Sequence, residues 1–449
     1  MRKMYMVMII VFSVLFLHMT TYKAEIKLNI YGKGGAGEWD NPILTAEHPE
    51  ISWTGGDDLN GGVQDLVQSL TARQPYDIYA INYTDQNFTE VINKGYATDL
   101  TVYPILKEYA FRFRPYIQKA LIKDDKMYGV PIQVSTSMLA YSPKAFARVG
   151  LNEDDVPTTY EEFLNLLLWW IAEEPDTQVQ FIYGAGNLRV ELANIITKTL
   201  IERYNNMEDP EPFTSDPIAA IYKKLDEADT TKIDKYLASL EEGEGYSQST
   251  LFSVGFDALE IRNYEEYADF IPINLLVKEK ETKYVPVSMR IFFISKDSEN
   301  PDAAALYLEA YLRGLDESFT IKTEIGPHNP VHNLRVEKEI EIIEAEIEKL
   351  EAERLKDHGD LEQQIKQNIQ LLERMEKQRW LVPKDNIERF EVLQKSFQVP
   401  AYSPLGSIQS EGYRSLQMLI DQYAARQISV ETFLRGIDQK LDMIKMESE

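Results

Sequence analysis

The sequence predicts an α/β protein that carries an added helical hairpin towards its C-terminus. Three observations predict it. Residues 26–101 run strand, helix, strand, an order that favours a mainly parallel sheet covered by helices. Residues 287–314 hold an apolar strand followed at once by a well-marked helix. Residues 334–380 switch to apolar side chains at intervals of three and four among Glu, Lys, Gln and Arg. The 449 residues leave room for two or three structural units, and 44% hydrophobic residues can fill sizeable cores.

The elements follow in chain order. Arg2 and Lys3 precede an apolar run, Met4 to Met19, interrupted by Ser13 and His18. The run is short for a membrane span, which needs roughly 20 residues. Residues 1–24 therefore read as a signal peptide, with an uncleaved N-terminal anchor as the alternative. Ile26–Tyr31 alternates as a strand and runs into Gly32-Lys33-Gly34-Gly35-Ala36-Gly37, a literal G-x-G-x-x-G. A dinucleotide site needs the third glycine to open a helix. Pro42, Pro49 and the lack of apolar periodicity predict no helix there, and Glu38 and Asp40 carry the wrong charge for phosphates. The glycines read as a loop.

Val63, Leu66, Val67 and Leu70 have helical spacing, residues 76–83 form a strand, and Gly95 ends the next helix. A break at Gly129-Val130-Pro131 precedes an alternating strand to Tyr141. Thr158 or Thr159 caps a helix, with Glu161 or Glu162 closing a capping box. Trp169 and Trp170 in that helix read as core, with a stacking platform as the alternative. Residues 249–256 form a strand. A strand from Val287 to Ile294 leads to Asn300 as N-cap, Pro301 at the first helical position and Gly314 at the end.

In the hairpin, Ile340, Ile343, Ile347 and Leu350 face Leu361, Ile365, Ile369 and Leu372 around a turn near Gly359. Each arm is about 20 residues, or roughly 30 Å. It reads as a solvated protrusion or as a docking arm. Two helices close the chain, the last capped at Ser429 with Phe433, Ile437, Leu441 and Ile444 on one face.

Composition removes whole classes of chemistry. The chain has no cysteine, which excludes disulfides, thiolate nucleophiles, Cys-based zinc sites and Cys-linked lipid. A formal net charge of −26 argues against nucleic acid and anionic lipid as partners. Of the five histidines, only His328 and His332 are spaced as a helical pair, and Pro330 lies between them. No metal site is expected. The P-loop and the G-x-S-x-G elbow are absent, and 73 acidic residues are too many to nominate a catalytic pair. No catalytic residue and no cofactor are predicted.

Four passages carry a resemblance. They are "PYDIYAINYTDQNFTEVINKGYATDLT", "DDKMYGVPIQVSTSMLAYSPKAFARVGLNEDDVPTTYEEFLNLL", "ISKDSENPDAAALYLEAYL" and "YAARQISVETFLRGIDQKLDMI". In this order they resemble the extracellular solute-binding proteins of bacterial ABC importers, family 1, the carbohydrate-binding type. The likeness covers residues 25 to about 330 and 400–449. The chain departs from it where the glycine passage replaces the first helix, in the extra residues 334–380, and in lacking the lipid-anchored cysteine of Gram-positive members.

The resemblance implies a two-lobed periplasmic-binding-protein-like fold with an inter-lobe cleft. Lobe 1 would comprise residues 25–132 and 286–325. Lobe 2 would comprise 133–285 and 326–449, including the hairpin insertion. The crossovers would lie near Pro131–Gln133 and Val285–Val287, and ligand would close the lobes about them. It implies a monomer outside the cytoplasmic membrane, secreted, periplasmic or on the cell surface. Such a protein captures a carbohydrate, by the resemblance an oligosaccharide, for the membrane subunits of an ABC permease. The alternatives are a sensory or structural surface protein that docks through the hairpin, and a hydrolase.

A sugar ring has an apolar face for aromatic stacking and a polar rim for Asp, Asn, Gln and Arg. On that logic Asn82, Tyr83 and Asp85 follow a strand end and resemble the family's first aromatic-plus-acid contact. Gln133 and Ser135 lie past the first crossover. Tyr183 and Asn187 match a loop that supplies a stacking ring. Arg290 is an inward-pointing charge, with a salt bridge between lobes as its other reading. Gly34 and Gly35 would bring backbone amides to the ligand, beside Trp39.

Overall fold

The computed structural model describes residues 25–32, 40–55, 66, 69–72, 76–84, 88–173, 179–182, 187–206, 210–231, 234, 249–263, 270–278, 281, 283–354, 361–400 and 411–448. The strands are β1 (Ile26–Tyr31), β2 (Ile51–Gly55), β3 (Ile78–Asn82), β4 (Ile122–Lys123), β5 (Lys126–Met127), β6 (Val130–Thr136), β7 (Met138–Tyr141) and β8 (Val179–Ile182). They continue with β9 (Ser249–Phe256), β10 (Ile271–Ile273), β11 (Val285–Ile294), β12 (Val331–His332), β13 (Trp380–Val382) and β14 (Phe397–Gln398).

Two sheets organise them. The first has the order β14-β11-β3-β1-β2, with β6 also paired to β11. β2, β1 and β3 are mutually parallel, as strand-helix-strand order requires, whereas β11 runs antiparallel to both β3 and β6. β3 is apolar on both faces because helices cover both, so Ile78 to Ile81 are all buried and only Asn82 emerges. Tyr79 stacks on Phe293 of β11 with ring centres 5.0 Å apart. The second sheet has the order β10-β7-β9-β8.

Each sheet has its own core. One hydrophobic cluster gathers Leu28, Ile30, Tyr79, Phe292 and Tyr307, and the other gathers Phe163, Phe181, Phe252, Tyr222 and Phe433. The chain passes between them repeatedly. It leaves the first sheet at Ser137, between β6 and β7, rather than at Pro131–Gln133. It returns briefly, with Phe256, Ala258, Leu259 and Ile261 in the first cluster, and goes back with Ile271. It enters the first sheet again at Val285.

The packing also departs from the expected placement of residues 326–449. Val331, Val382, Ile387, Phe390 and Phe397 pack with the first cluster, and among the described residues of this stretch only the two last helices pack with the second. The reason is β14, which adds a parallel strand beside Val285 and Pro286 of β11.

Two local expectations are corrected. A six-residue helix, Pro42–Glu47, forms where none was expected. Asn41 caps it by accepting from Leu44 N at 3.1 Å and anchors it by donating to Tyr307 O at 3.0 Å. It starts at Pro42, not at the third glycine. Asn300 stands at the N-cap of helix Pro301–Arg313, but its side chain makes no capping bond. Its backbone N–H is held instead by buried Asp77 at 3.3 Å, which also accepts from Ser298 Oγ at 2.6 Å and Asn29 N at 3.0 Å.

The hairpin is present, as helices Leu334–Arg354 and Leu361–Glu376. β12 and β13 pair at its base, where the His332 ring lies 3.9 Å from that of Trp380. Ile340 and Leu350 are buried as expected, and so is Ile365. Ile369 is not: it points out, 40% exposed, while Asn368 is half-buried. The inner stripe of the second arm runs 361, 365, 368, 372, 375, a strict seven-residue repeat that admits one Asn. The expected turn near Gly359 lies outside the described residues, as do residues 1–24. No helix among the described residues is long and apolar enough to cross a membrane.

The predicted capping box forms at helix Tyr160–Glu173. Thr159 Oγ1 accepts from Glu162 N at 3.1 Å, and Glu162 accepts from the backbone of Thr158 and Thr159 at 2.8 and 3.1 Å. The Thr158 N–H is the main cause holding the Glu162 carboxyl below its ordinary value of 4.5. Trp170, in the same helix, is buried in the second cluster as the core reading required. Thr159→Ala should cost about 1 kcal/mol in urea unfolding. A depressed carboxyl stabilises above its unfolded pKa and loses that as pH falls through the folded one. Glu162→Ala should therefore lessen the loss of stability on acidification below pH 4.5, measured as melting temperature against pH.

Candidate functional site

Three residues nominated on separate grounds meet in one row across the first sheet. Arg290 of β11 stands opposite Asn82 of β3 on one side and opposite Gln133 of β6 on the other. Two residues along, Ser288 stands opposite Ser135. On β11, Val285, Val287 and Met289 are buried, while Pro286, Ser288 and Arg290 face outwards. This is the period-two alternation of a strand with one covered face. On β6, Gln133 and Ser135 turn the same way and Val134 is buried between them. Asn82 is the last residue of β3, at the carboxyl end where open α/β sheets bind ligands, while Gln133 lies in the middle of β6.

A β-bulge sets this register. Arg290 pairs with Gln133, but Ile291 pairs with Pro131, which leaves Ile132 as the extra residue. Proline has no N–H to give to a ladder, and a bulge is where one is tolerated. At the next turn the crossover is clasped. Asp257 accepts from Thr136 N at 2.7 Å, Thr136 Oγ1 at 3.1 Å and Leu259 N at 3.0 Å, and Thr136 Oγ1 accepts from Ala258 N at 2.7 Å. Burial pushes the Asp257 carboxyl up, against the pull of these hydrogen bonds and of Lys322. Burial likewise lowers the Lys322 ammonium.

The outward face continues into a cavity of about 530 Å³. Ser137 follows Gln133 and Ser135 in alternation, Pro286 precedes Ser288 and Arg290, and both line it. Its far walls are the end of the second sheet, with Met138, Ile273 and Leu275, and one face of helix Leu188–Asn206. That volume falls within the roughly 300–1,000 Å³ of small-ligand pockets.

The other nominated residues fare differently. Tyr83 is not a stacking platform but a core residue, 4% exposed. Its ring packs on Phe88 at 5.7 Å, its hydroxyl donates to Ala120 O at 3.0 Å, and burial raises its pKa. Asn187 spends its side-chain oxygen as a helix cap, accepting from Val190 N at 3.0 Å. Gly34, Gly35, Trp39, Asp85 and Tyr183 lie outside the described residues. Ser137, Tyr284, Ser288 and the inner face of helix Leu188–Asn206 went unnoticed in the sequence. Only their closeness to a crossover could have pointed to the first three. His328 and His332 bond to Glu324 O at 3.1 Å and to Glu337, and no metal-binding cluster occurs among the described residues.

Comparison with known proteins gives a consistent result. The model of the family described as bacterial extracellular solute-binding protein matches residues 36–313. Among solved structures the chain is similar to maltose-bound MalE3 of T. maritima, at 14% identity and TM-score 0.55, covering 93% of this chain and 100% of that one. It is similar to an ABC substrate-binding protein of Listeria monocytogenes in complex with cycloalternan, at 13% identity and TM-score 0.55, covering 94% and 99%. It is also similar to the galacto-N-biose/lacto-N-biose I-binding protein of Bifidobacterium longum, at 12% identity and TM-score 0.55, covering 96% and 98%. At such identities the likeness shows the two-lobed fold. No curated protein sequence matches the chain.

The entry to the glycine passage is tightly built. Gly32 has φ +137°, and an added Cβ would meet Ala80 O at 2.5 Å and Ala80 Cβ at 2.8 Å. Gly32→Ala should destabilise by about 1–3 kcal/mol, since β1 and β3 would have to part. Urea unfolding within about 0.5 kcal/mol of the parent would refute that close approach.

Proposed function

Because the matching family model spans more than half of its residues, the chain belongs to the bacterial extracellular solute-binding proteins, and we propose that it captures a carbohydrate between its lobes and delivers it to an ABC permease. The observation that carries this reading is the row Asn82, Arg290 and Gln133, placed on an outward sheet face beside the crossovers and running into the cavity. Amide and guanidinium groups in such a row offer donors and acceptors to a polyhydroxylated ligand. Similar structures carry maltose, cycloalternan and lacto-N-biose, which supports carbohydrate as the ligand class.

In this reading the first lobe is built on the first sheet and the second on the other, with ligand closing them about Ser137 and Tyr284–Val285. The protein works outside the cytoplasmic membrane, as a binding component and not a catalyst. The hairpin is an accessory. Its base is closed by the β12–β13 pairing, so the cavity is built without its arms.

A ligand that binds only the folded state raises stability by RT ln(1 + [L]/Kd), about 2.7 kcal/mol at a hundredfold excess over Kd. A panel of maltose, cycloalternan and lacto-N-biose should contain at least one sugar that raises the melting temperature. A wider glycan panel with no shift at all would refute the carbohydrate reading. Arg290→Met should abolish most of the shift.

The hairpin gives a separate expectation. Antiparallel partners sit about 5 Å apart, so a short glycine-rich turn can join His332 to Trp380. Replacing residues 333–379 in this way should leave sugar affinity unchanged by calorimetry. A large loss of affinity would show that the arms contribute to binding.

A further inference from the structure

The hairpin has two unlike flanks. Val336, Ile340, Ile343, Ile347 and Leu350 of the first arm repeat at four and three, matching the inner positions 361, 365, 368, 372 and 375 of the second. The arms are antiparallel, so the residue after each inner position faces one flank in both arms, and the residue before it faces the other. On the first flank Glu337, Glu341, Glu344, Glu348 and Glu351 fill every position of the first arm. Glu362, Glu373 and Glu376 join them from the second arm, against Lys366.

The opposite flank is mixed in charge and partly apolar. Arg335, Glu339, Ile342, Glu346, Lys349 and Glu353 succeed one another along the first arm. Gln364, Gln367 and Leu371 of the second arm carry no charge. Ile342 is 68% exposed and Leu371 39%. Within one chain Arg335 Nε pairs with Glu339 at 3.2 Å and Lys349 Nζ with Glu346 at 3.8 Å. Both pairs are solvent-exposed and hold their side chains only weakly.

The charges on this flank are complementary to their own reverse. A second copy turned end for end about the level of residue 344 sets Arg335 opposite Glu353, Glu339 opposite Lys349 and Ile342 opposite the methylene stem of Glu346. Two-fold symmetry makes each of these contacts twice. The second arm adds no like-charge contact through Gln364, Gln367 and Leu371. A register about one turn away, with Ile342 opposite Ile342, would set Arg335 against Lys349. The acidic flank has no such solution, since any pairing of two such flanks sets glutamates against glutamates.

We propose that two copies of this chain associate through this flank, hairpin on hairpin and antiparallel, as an isologous dimer. The dimer departs from the monomer that the resemblance implies and does not depend on the carbohydrate reading. Antiparallel pairing places the two globular bodies at opposite ends of the joined arms, where they do not collide. Arms roughly 30 Å long and about 20 Å across cover about 600 Å² per partner, at the low end for a specific interface. The association is therefore weak.

The test is sedimentation equilibrium of the full chain. Up to about 100 µM, where small interfaces are still populated, the parent should show a monomer–dimer equilibrium. Arg335→Glu turns two attractive pairs into repulsive ones and should raise the dimer Kd roughly 10- to 30-fold. Arg335→Glu combined with Glu353→Arg restores each pair with its sign reversed and should recover the parent Kd. Both positions are exposed, and both changes suit the helix dipole, so the hairpin keeps its fold. Glu344→Gln, on the acidic flank, should leave Kd within about twofold. A parent that stays monomeric throughout overturns the proposal and leaves this flank to a different protein. A dimer indifferent to Arg335→Glu, or one that the exchanged charges do not restore, has its interface elsewhere and overturns it too.

Discussion

Backbone pairing of β11 with β3 on one side and β6 on the other holds the molecule's functional geometry. It is a local matter of ladder hydrogen bonds, yet it joins residues from three distant parts of the sequence. Arg290 stands opposite both Asn82 and Gln133 because the end of β3 and the middle of β6 lie at the same height on β11. The bulge at Ile132 keeps Val130 and Val134 buried on either side of the shift, while Gln133 and Ser135 face out. A ladder without that extra residue would turn one half of β6 over. The same strand receives the chain from the second sheet at Val285 and accepts β14 along its edge. Both the polar row and the crossover therefore depend on one strand.

Much of the fold was legible because local signals agreed with one another. The strand Val287–Ile294, the proline after it and the glycine that ends the helix mark boundaries that the structure repeats to within a few residues. The capping box at Thr159 and Glu162 is another short-range pattern that needs no tertiary information. Long-range facts were not legible. β14 is two residues long and has no periodicity to show, so the return of residues 382–399 to the first core left no trace in the sequence. The helix Pro42–Glu47 is held by Asn41 bonding to Tyr307, far along the chain, and a weak local pattern hides such an anchor.

The site divides in the same way. Asn82, Gln133, Ser135 and Arg290 could each be named from strand ends and an odd charge, but their common row could not, because pairing is not written locally. Tyr83 misled because an aromatic after a strand end resembles a ligand contact. Only the turn that carries its hydroxyl to Ala120 shows it to be core. Asn187 misled because Asn caps helices as readily as it binds hydroxyls. Ile369 misled by one position, where its neighbour Asn368 takes the inner place. Tyr284 gave no signal: a tyrosine before a strand is common, and what distinguishes this one is a buried hydroxyl without a hydrogen-bond partner among the described residues.

The late strand β14 has a consequence for how the molecule comes into being. The first sheet begins at residue 26 and is completed by residues 397–398. No early stretch of chain can finish it, and every partial product leaves an edge of β11 uncovered. Bringing such distant segments together is entropically costly and slow. A growing chain therefore cannot complete the first sheet before residues 397–398 have been made, and until then the strand edge at Val285 and Pro286 stays open to pairing with other chains.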